Sequence, residues 1–489
     1  MLNDQVVVLI AVPLLLAFFL PVMARRCKLT NVIAPAVLIA MIAVAVSFLF
    51  AFEKPFIVEL GGFAAPLGII FYIDQLSLWM LLLIPVMTLL LWPWQSLYQG
   101  SDRGRELALY MIMVAACSGL AMSGDLFNLY VFYELLAVAS FGLVISSDKG
   151  MAYLAGYRYL LISAMGSVMA LLGIAIIYFL TGTLTLAHLA SLPDQLSNPP
   201  AAMAFVLILL GFGVKAEMFP VNAWVPEVYQ ATKTRVAALL AGLVSKLAVI
   251  IILKVVTLVM PAAQMYSLLL MLGLAGLIIG ELSALRANTL IQTLSWSSIG
   301  QLGLVFIAFS VDSQVGLMAG IALMLHHLLV KPALFLIVEN WSGSISGLTG
   351  FAKKSPLASI LFVLFALSLL GVPPFPGFWA KYLLLNGLLE ADGGLYQFAV
   401  FAVLAMTVVE AIYLLRIITT LYDMDAAVSK PVVATAWTNR LSILILATGL
   451  LAAVWQISPL VDALAGVAAQ MQDTSAIIQL VAGKQGALQ

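Results

Sequence analysis

Apolar runs of about twenty residues, separated by short polar or Pro/Gly-containing breaks, follow one another along most of the chain. A run of that length crosses a hydrocarbon core of roughly 30 Å as an α-helix. The pattern predicts spans over 5–23, 32–52, 72–94, 105–122, 126–146, 155–180, 201–220, 236–259, 265–285, 288–309, 315–339, 357–386, 396–421 and 438–456. These fourteen describe an all-α, polytopic membrane protein, with no strand pattern to host a nucleotide. The segment 459–489 is Gln- and Gly-dotted and too weakly apolar to be a fifteenth span.

Short cytoplasmic loops carry Lys and Arg, and external loops do not. Loops after odd-numbered spans hold Arg25, Arg26, Lys28, Arg103, Arg105, Lys149, Lys233, Arg235, Arg286, Lys353, Lys354 and Lys430. Arg158, Arg416 and Arg440 stand at adjoining helix ends. Loops after even-numbered spans offer Lys54 alone, with Lys254 near one outer helix end. This alternation predicts a cell inner (plasma) membrane protein with both termini on the outer side. The first apolar run has no positive stretch before it and is followed by Arg25-Arg26-Cys27-Lys28, so it reads as a retained span rather than a cleaved signal.

Composition removes several functions. Of 489 residues, 64% are hydrophobic and 9% charged, against roughly 25% charged in soluble domains, which excludes a water-soluble globule. Net charge is zero without a basic run, so no nucleic-acid partner is expected. Cys27, Cys117 and three histidines without clustered ligand spacing leave no disulfide framework and no zinc, haem or iron–sulfur site, so neither metal nor cofactor is expected.

What charge remains is informative. Lys215, Lys246, Lys331 and Lys381 fall well inside the predicted membrane. Each costs about 2.5–3.5 kcal/mol at a helix centre, roughly 10–14 kcal/mol together. Acids accompany them at Glu134, Glu217, Glu281, Glu339 and Glu410. An ion pair that merely locks packing is one reading of Glu134 and Lys215, although a buried pair is weak evidence for stability. Proton exchange is the other: lysine changes protonation state on burial and arginine does not, and the mid-membrane cations are all lysine. His327 and Lys331 form an i, i+4 pair on one helical face across which a proton can pass, whereas neighbouring His326 reads as a packing residue or an accessory group. His188 reads as a solvated loop residue.

Two spans are broken beside a lysine. The seventh carries Lys215 and Glu217 before Pro220, and the twelfth carries Pro373, Pro374 and Pro376 before Lys381. Irregular backbone at membrane depth is tolerated where protein or a water-filled cavity satisfies it, and paired breaks point to repeated halves around an ion path. Aligning spans four to eight with nine to thirteen matches the breaks and pairs Lys246 with Glu410. Five helices being an odd number, the second repeat is inverted. Gly211, Gly213, Gly273, Gly276 and Gly280 read as close-packing positions.

Several stretches carry a resemblance. They are Asp125-Leu-Phe-Asn to Glu134, Lys215 to Pro226, Ala237 to Lys246, Ser297-Ser-Ile-Gly-Gln-Leu-Gly303, His326 to Lys331, and Pro373-Pro374 to Lys381. In this order, over roughly 70–425, the chain resembles the antiporter-like membrane subunits shared by respiratory complex I and Mrp-type multisubunit cation/proton antiporters. The Asp-Leu-Phe-Asn stretch and the twelfth-span lysine are most similar to the Mrp D-type subunit. Glu227-Val-Tyr-Gln stands where complex I members usually show an Asp-Ala-His turn, and no long lateral helix follows the fourteenth span. The resemblance implies a Glu134–Lys215 pair, a central Lys246, relay groups His327 and Lys331, and a terminal Lys381. It assigns no role to Glu217 or Glu410.

The expected organisation is N-terminal spans in 1–104, a first five-helix repeat in 105–260, a second in 261–425, and a last span and tail in 426–489. The expected function is a proton-translocating subunit of a multisubunit Na⁺(K⁺)/H⁺ antiporter, a transporter subunit and not itself an enzyme. Protons would follow Glu134, Lys215, Lys246, His327, Lys331 and Lys381, with His326, Glu217, Glu339 and Glu410 as secondary groups. Expected partners are other membrane subunits, protons, and Na⁺ or K⁺. The rival is a proton-pumping subunit of a complex I-like NADH:quinone oxidoreductase or membrane-bound hydrogenase, and a third reading is a subunit of an inorganic-carbon uptake complex.

Overall fold

The computed structural model describes residues 3–25, 29–61, 68–94, 100–147, 150–259, 263–339, 341, 343–423 and 436–486. Arg26, Cys27, Lys28, Lys149 and Lys430, and the expected limits at 261, 425 and 426, lie outside them. In chain order the first elements are α1 (Val8–Met23), α2 (Thr30–Ala51), β1 (Phe56–Leu60), β2 (Ile69–Ile73), α3 (Gln75–Leu90), α4 (Gly100–Met122), α5 (Leu126–Ile145) and α6 (Gly150–Thr181). Then come α7 (Leu186–Ala190), α8 (Pro193–Leu196), α9 (Pro199–Gly213), α10 (Trp224–Ala231), α11 (Thr234–Leu239) and α12 (Ser245–Leu258). The remainder is α13 (Ala263–Arg286), α14 (Leu290–Phe309), α15 (Gln314–Val338), α16 (Pro356–Leu370), α17 (Pro376–Glu390), α18 (Gly394–Tyr422), α19 (Trp437–Trp455), α20 (Ile457–Gln472) and α21 (Thr474–Gly486).

The protein is a polytopic helical membrane protein. Eleven helices among the described residues are long and apolar enough to cross a membrane, or twelve if the pair Ile345–Lys353 and Pro356–Leu370, bent by 116°, is taken as one span. Helix length alone therefore does not give fourteen: α3 and α9 are shorter apolar helices, and the predicted span 357–386 is divided into α16 and α17. Two further differences concern the ends of spans. Residues 56–60 and 69–73, expected as loop and helix, form an antiparallel pair of strands with Phe56 opposite Ile73 and Leu60 opposite Ile69. The C-terminal segment, too weakly apolar to span, is nonetheless helical as α20 and α21.

Helix starts follow from capping. Asp74 accepts a hydrogen bond from the Ser77 N–H at 2.7 Å and Asp125 one from the Asn128 N–H at 2.6 Å, each satisfying an orphan donor in the first turn. Thr289 and Ser313 cap α14 and α15 in the same way.

The chain forms two compact units. The first comprises Met1–Ala216, Leu243–Ala262 and Ala469–Gln489, and the second comprises Glu217–Gly242 and Ala263–Ala468. In the first, α1 packs on α4, α4 on α5, α5 on α6 and α6 on α9. In the second, α13 packs on α14 and α18, and α15 on α11, α14, α17 and α19. Glycines permit the closest approaches. A Cβ at Gly211 would lie 2.5 Å from the Gly166 carbonyl oxygen and 2.6 Å from the Ala170 nitrogen, both backbone atoms that cannot swing aside. A Cβ at Gly280 would meet the Gly300 nitrogen at 2.5 Å. Gly211→Val is therefore expected to force α6 and α9 apart, at about 1–3 kcal/mol, seen as a lower melting temperature in detergent. An unchanged melting temperature would show that the contact relaxes freely.

Candidate functional site

Helix α9 stops at Gly213, earlier than the apolar run suggests, and residues 214–223 run through turns before α10. Lys215 lies in this turn and is 1% exposed. Its ammonium donates to the Ser163 hydroxyl on α6 at 2.8 Å and sits 3.8 Å above the centre of the Tyr133 ring. The Tyr133 hydroxyl in turn donates to the Gly211 carbonyl at 2.9 Å, fixing the ring beneath the cation. A desolvated cation–π contact is worth about 2 kcal/mol or more, which offsets part of the cost of burying the ammonium.

Glu134 acts on Lys215 as a nearby charge, without a direct hydrogen bond between them. Its carboxylate accepts from the Ser167 hydroxyl, and Ser167 stands four residues from Ser163 on one face of α6. The cation and the carboxylate are thus held by two hydroxyls one turn apart. A hydroxyl both donates and accepts, so each serine can serve the charged group bonded to it. Glu134 itself is only half-buried, on the side of α5 that leaves Phe127, Val131 and Val138 exposed.

Lys246 is fully buried in the first turn of α12 and donates to the Ser245 hydroxyl at 3.0 Å. A π-helical turn over Leu240–Val244 precedes it. Such turns loosen the regular backbone ladder and recur at functional positions. This one is not readable from an apolar sequence.

The second unit gathers more groups. Lys381, one turn into α17, forms a 2.6 Å ion pair with Glu410 on α18 and donates to the Leu370 carbonyl at 3.0 Å. Leu370 ends α16, so the break at 371–375 leaves its carbonyl free to accept this bond. Glu410 accepts a second bond at 2.8 Å from the Gln301 amide on α14. Glu410, the counterpart of Lys246 when the expected repeats are aligned, is thus the partner of Lys381. Glu281 on α13 accepts from the Tyr413 hydroxyl at 2.9 Å.

On α15, Lys331 donates to the Ser297 hydroxyl at 2.8 Å and to the Leu294 carbonyl at 3.2 Å. His327 Nε2 is 3.2 Å from the Ser298 hydroxyl, so the expected i, i+4 partners each engage one of two adjacent serines on α14. His326 turns to another helix, with Nε2 2.8 Å from the Ser368 hydroxyl of α16. Glu217 has a φ of +57°, the left-handed region that a non-glycine residue enters at a cost of about 1–3 kcal/mol. The Tyr229 hydroxyl donates to its Oε1 at 2.6 Å, and the Asn222 amide donates to its carbonyl at 3.2 Å.

Glu339 belongs to a different neighbourhood. It caps the C-terminal end of α15, bonded to the Asn439 amide and 3.9 Å from Arg235. Pro220 follows Phe219 through a cis bond, and Pro374 follows Pro373 likewise. Among the described residues no three His, Cys, Asp or Glu side chains are grouped so as to hold a metal ion. Buried lysines instead meet hydroxyls or a carboxylate on neighbouring helices, the group types that exchange protons.

Sequence reasoning did not single out Ser163, Ser167, Ser297, Ser298, Gln301 or Tyr413. Ser297, Ser298 and Gln301 lie inside the motif that ends at Gly303, and the Ser163/Ser167 spacing of four was the one available signal for the first pair.

Residues 123–409 match the family model described as NADH:quinone oxidoreductase/Mrp antiporter, transmembrane. The chain is 31% identical over 383 residues to the N subunit of NADH-quinone oxidoreductase from Desulforudis audaxviator, covering 76% of each chain. It is 29% identical over 396 residues to the D-type subunit of the Na(+)/H(+) antiporter from Alkalihalophilus pseudofirmus, covering 78% of this chain and 80% of that one. Its fold is similar to a chain of the Mrp complex from Dietzia sp. DQ12-45-1b, with a TM-score of 0.88 and 25% identity over 98% of this chain and 99% of that chain. With the family model covering more than half of its length, the chain belongs to the NADH:quinone oxidoreductase/Mrp antiporter transmembrane family.

Proposed function

We propose that the chain is the proton-translocating subunit of a multisubunit Na⁺(K⁺)/H⁺ antiporter of the plasma membrane, acting as a transporter subunit. The observation that carries this reading is the repeated motif of a buried lysine beside broken backbone, with a carboxylate close by on another helix. In one unit the contacts are Lys215–Ser163 and Ser167–Glu134, and in the other Lys381–Glu410. Protons would move through Glu134, Lys215 and Lys246 in one repeat (105–260) and His327, Lys331 and Lys381 in its inverted counterpart (261–425). Glu217, Glu410 and His326 would support them. The likeness to the antiporter D-type subunit over four-fifths of that protein favours cation exchange as the coupled process.

Glu134 supports work within a larger assembly. A carboxylate on a face otherwise made of Phe127, Val131 and Val138 is costly against lipid, and a neighbouring membrane subunit would shield it. The likeness to the oxidoreductase N subunit keeps one rival, a subunit whose proton movement is driven by a redox partner. The two separate in proteoliposomes holding the native assembly. An imposed pH gradient should collapse on addition of Na⁺ or K⁺ without any reductant. Proton movement that appears only when NADH or another reductant is supplied would overturn the antiporter reading.

The Lys/Arg alternation adds an orientation with both termini outward. An impermeant thiol reagent on intact cells should modify Asp194→Cys and spare Lys353→Cys. The reverse pattern would invert the topology.

A further inference from the structure

Lys254 belongs to none of the groups above. By its place near the end of α12 it would be expected to reach along the helix to water, as lysines at helix ends do. It is instead 3% exposed and turned inward, donating to the Ala121 carbonyl at 2.8 Å and the Ser123 carbonyl at 2.9 Å at the end of α4. The carboxylates of Asp74 and Asp125 act on it. A cavity of about 20 Å³ opens beside it, enough for one water molecule. Tyr72, Asp74, Lys254, Gln470 and Asp473 are among the residues that line it.

Three observations give the cavity a direction. Asp473, exposed at its rim, is held below the usual carboxylate range by hydrogen bonds from the Ser475 side chain and the Ala476 N–H, so it stays ionised at the mouth. Inward, Lys246 and Lys254 are eight residues apart on α12, about 12 Å along the axis. On α4, which packs against α12, Ser118 lies one turn from Ala121 with its hydroxyl buried and without a hydrogen-bond partner among the described residues. The second oxygen of Asp125 is likewise buried and unpartnered. Orphaned buried oxygens of this kind call for a water or a mobile proton.

Resting on the transport reading, we propose that Lys254 is the surface port of the first unit, exchanging protons between the cavity water and the interior lysines. The lip of the port is made by the end of α20 and the start of α21. In the outward step the Lys254 ammonium releases one proton to the cavity water and is left a neutral amine; the hydronium so formed is drawn off past Asp74 and Asp473. In the reverse step the amine takes that proton back. The C-terminal segment is fixed over the port by the Gln75 N–H, which donates to Gln470 at 3.0 Å, and by Ile477 and Val481, packed into a cluster with Ile57, Ile70, Tyr72 and Ala187.

The test uses the assembled complex in proteoliposomes, with ΔpH-driven exchange as readout and Lys215→Ala as the reference. Lys254→Gln and Lys254→Arg should each lower exchange at least tenfold, because arginine keeps the charge and the carbonyl bonds but does not release the proton. Wild-type exchange in Lys254→Arg would make the residue a charged anchor for α4 and overturn the port. If the Lys254 variants fail to assemble, Asp473→Cys decides: modification with a cationic, impermeant methanethiosulfonate at both faces should slow exchange at least threefold, and an unchanged rate would overturn the proposal. Exchange lost in Lys215→Ala but intact in the Lys254 variants refutes the port alone, whereas exchange intact in Lys215→Ala refutes the transport reading beneath it.

Discussion

Glu134→Ala and Lys215→Ala are each expected to abolish proton-coupled exchange in a complex that still assembles. Neither side chain is sealed into an ion pair whose loss would strand its partner in direct contact. Lys215 keeps the Ser163 hydroxyl and the Tyr133 ring when Glu134 is gone, and Glu134 keeps Ser167 when Lys215 is gone. Folding should therefore be affected less than by breaking a tight buried pair, which costs about 3–5 kcal/mol. Transport should suffer fully, because each variant removes one of the two proton-bearing groups held along this face of α6. The double variant Ser163→Ala/Ser167→Ala retains both charged groups and should still lose about tenfold in rate. Wild-type exchange in assembled Glu134→Ala would mean that the carboxylate serves packing alone.

The span pattern and the costly lysines were legible because both depend on single-residue transfer energies. A lysine in an apolar run is conspicuous in a sequence, whatever it touches. Its partners were less legible, because a serine inside a helix is cheap and usually bonds back to its own chain. Ser140 does so with the Leu136 carbonyl at 2.7 Å, and apart from the spacing of four between Ser163 and Ser167 nothing in the sequence separates these serines. Lys254 stands near a helix end, as its position indicates, but its partners were illegible for a related reason: nothing in the sequence shows that the last carbonyls of α4 lie within its reach. The strand pair was hidden because Ile69–Ile73 runs directly into the apolar helix α3, with only Asp74 to mark the change. The backbone breaks were legible as prolines and glycines, yet where α9 stops was not. Gly213 ends the helix seven residues before Pro220, so Lys215 is set on the turn and not on a helical face.

Lys381→Arg is expected to assemble and to lose most exchange. The ammonium lies 2.6 Å from Glu410 and 3.0 Å from the Leu370 carbonyl. A guanidinium can hold both, with more donors than the ammonium it replaces. What it cannot do is release a proton near neutral pH, its pKa being above about 12. An electrostatic anchor would accept the exchange of Lys for Arg; a carrier would not. Crowding is the competing cause of failure, since a Cβ at Gly371 would already come 3.0 Å from Lys381 Cδ. Glu410→Gln separates the two causes. It adds no volume and leaves the Leu370 carbonyl in place, but removes the charge that receives the proton, so it should lose exchange to a similar degree. Loss in both variants with normal assembly identifies proton transfer between Lys381 and Glu410 as the step affected. Loss in Lys381→Arg alone would trace the defect to steric strain at the α16–α17 break, and near-normal exchange in Lys381→Arg would leave the second unit without its terminal carrier.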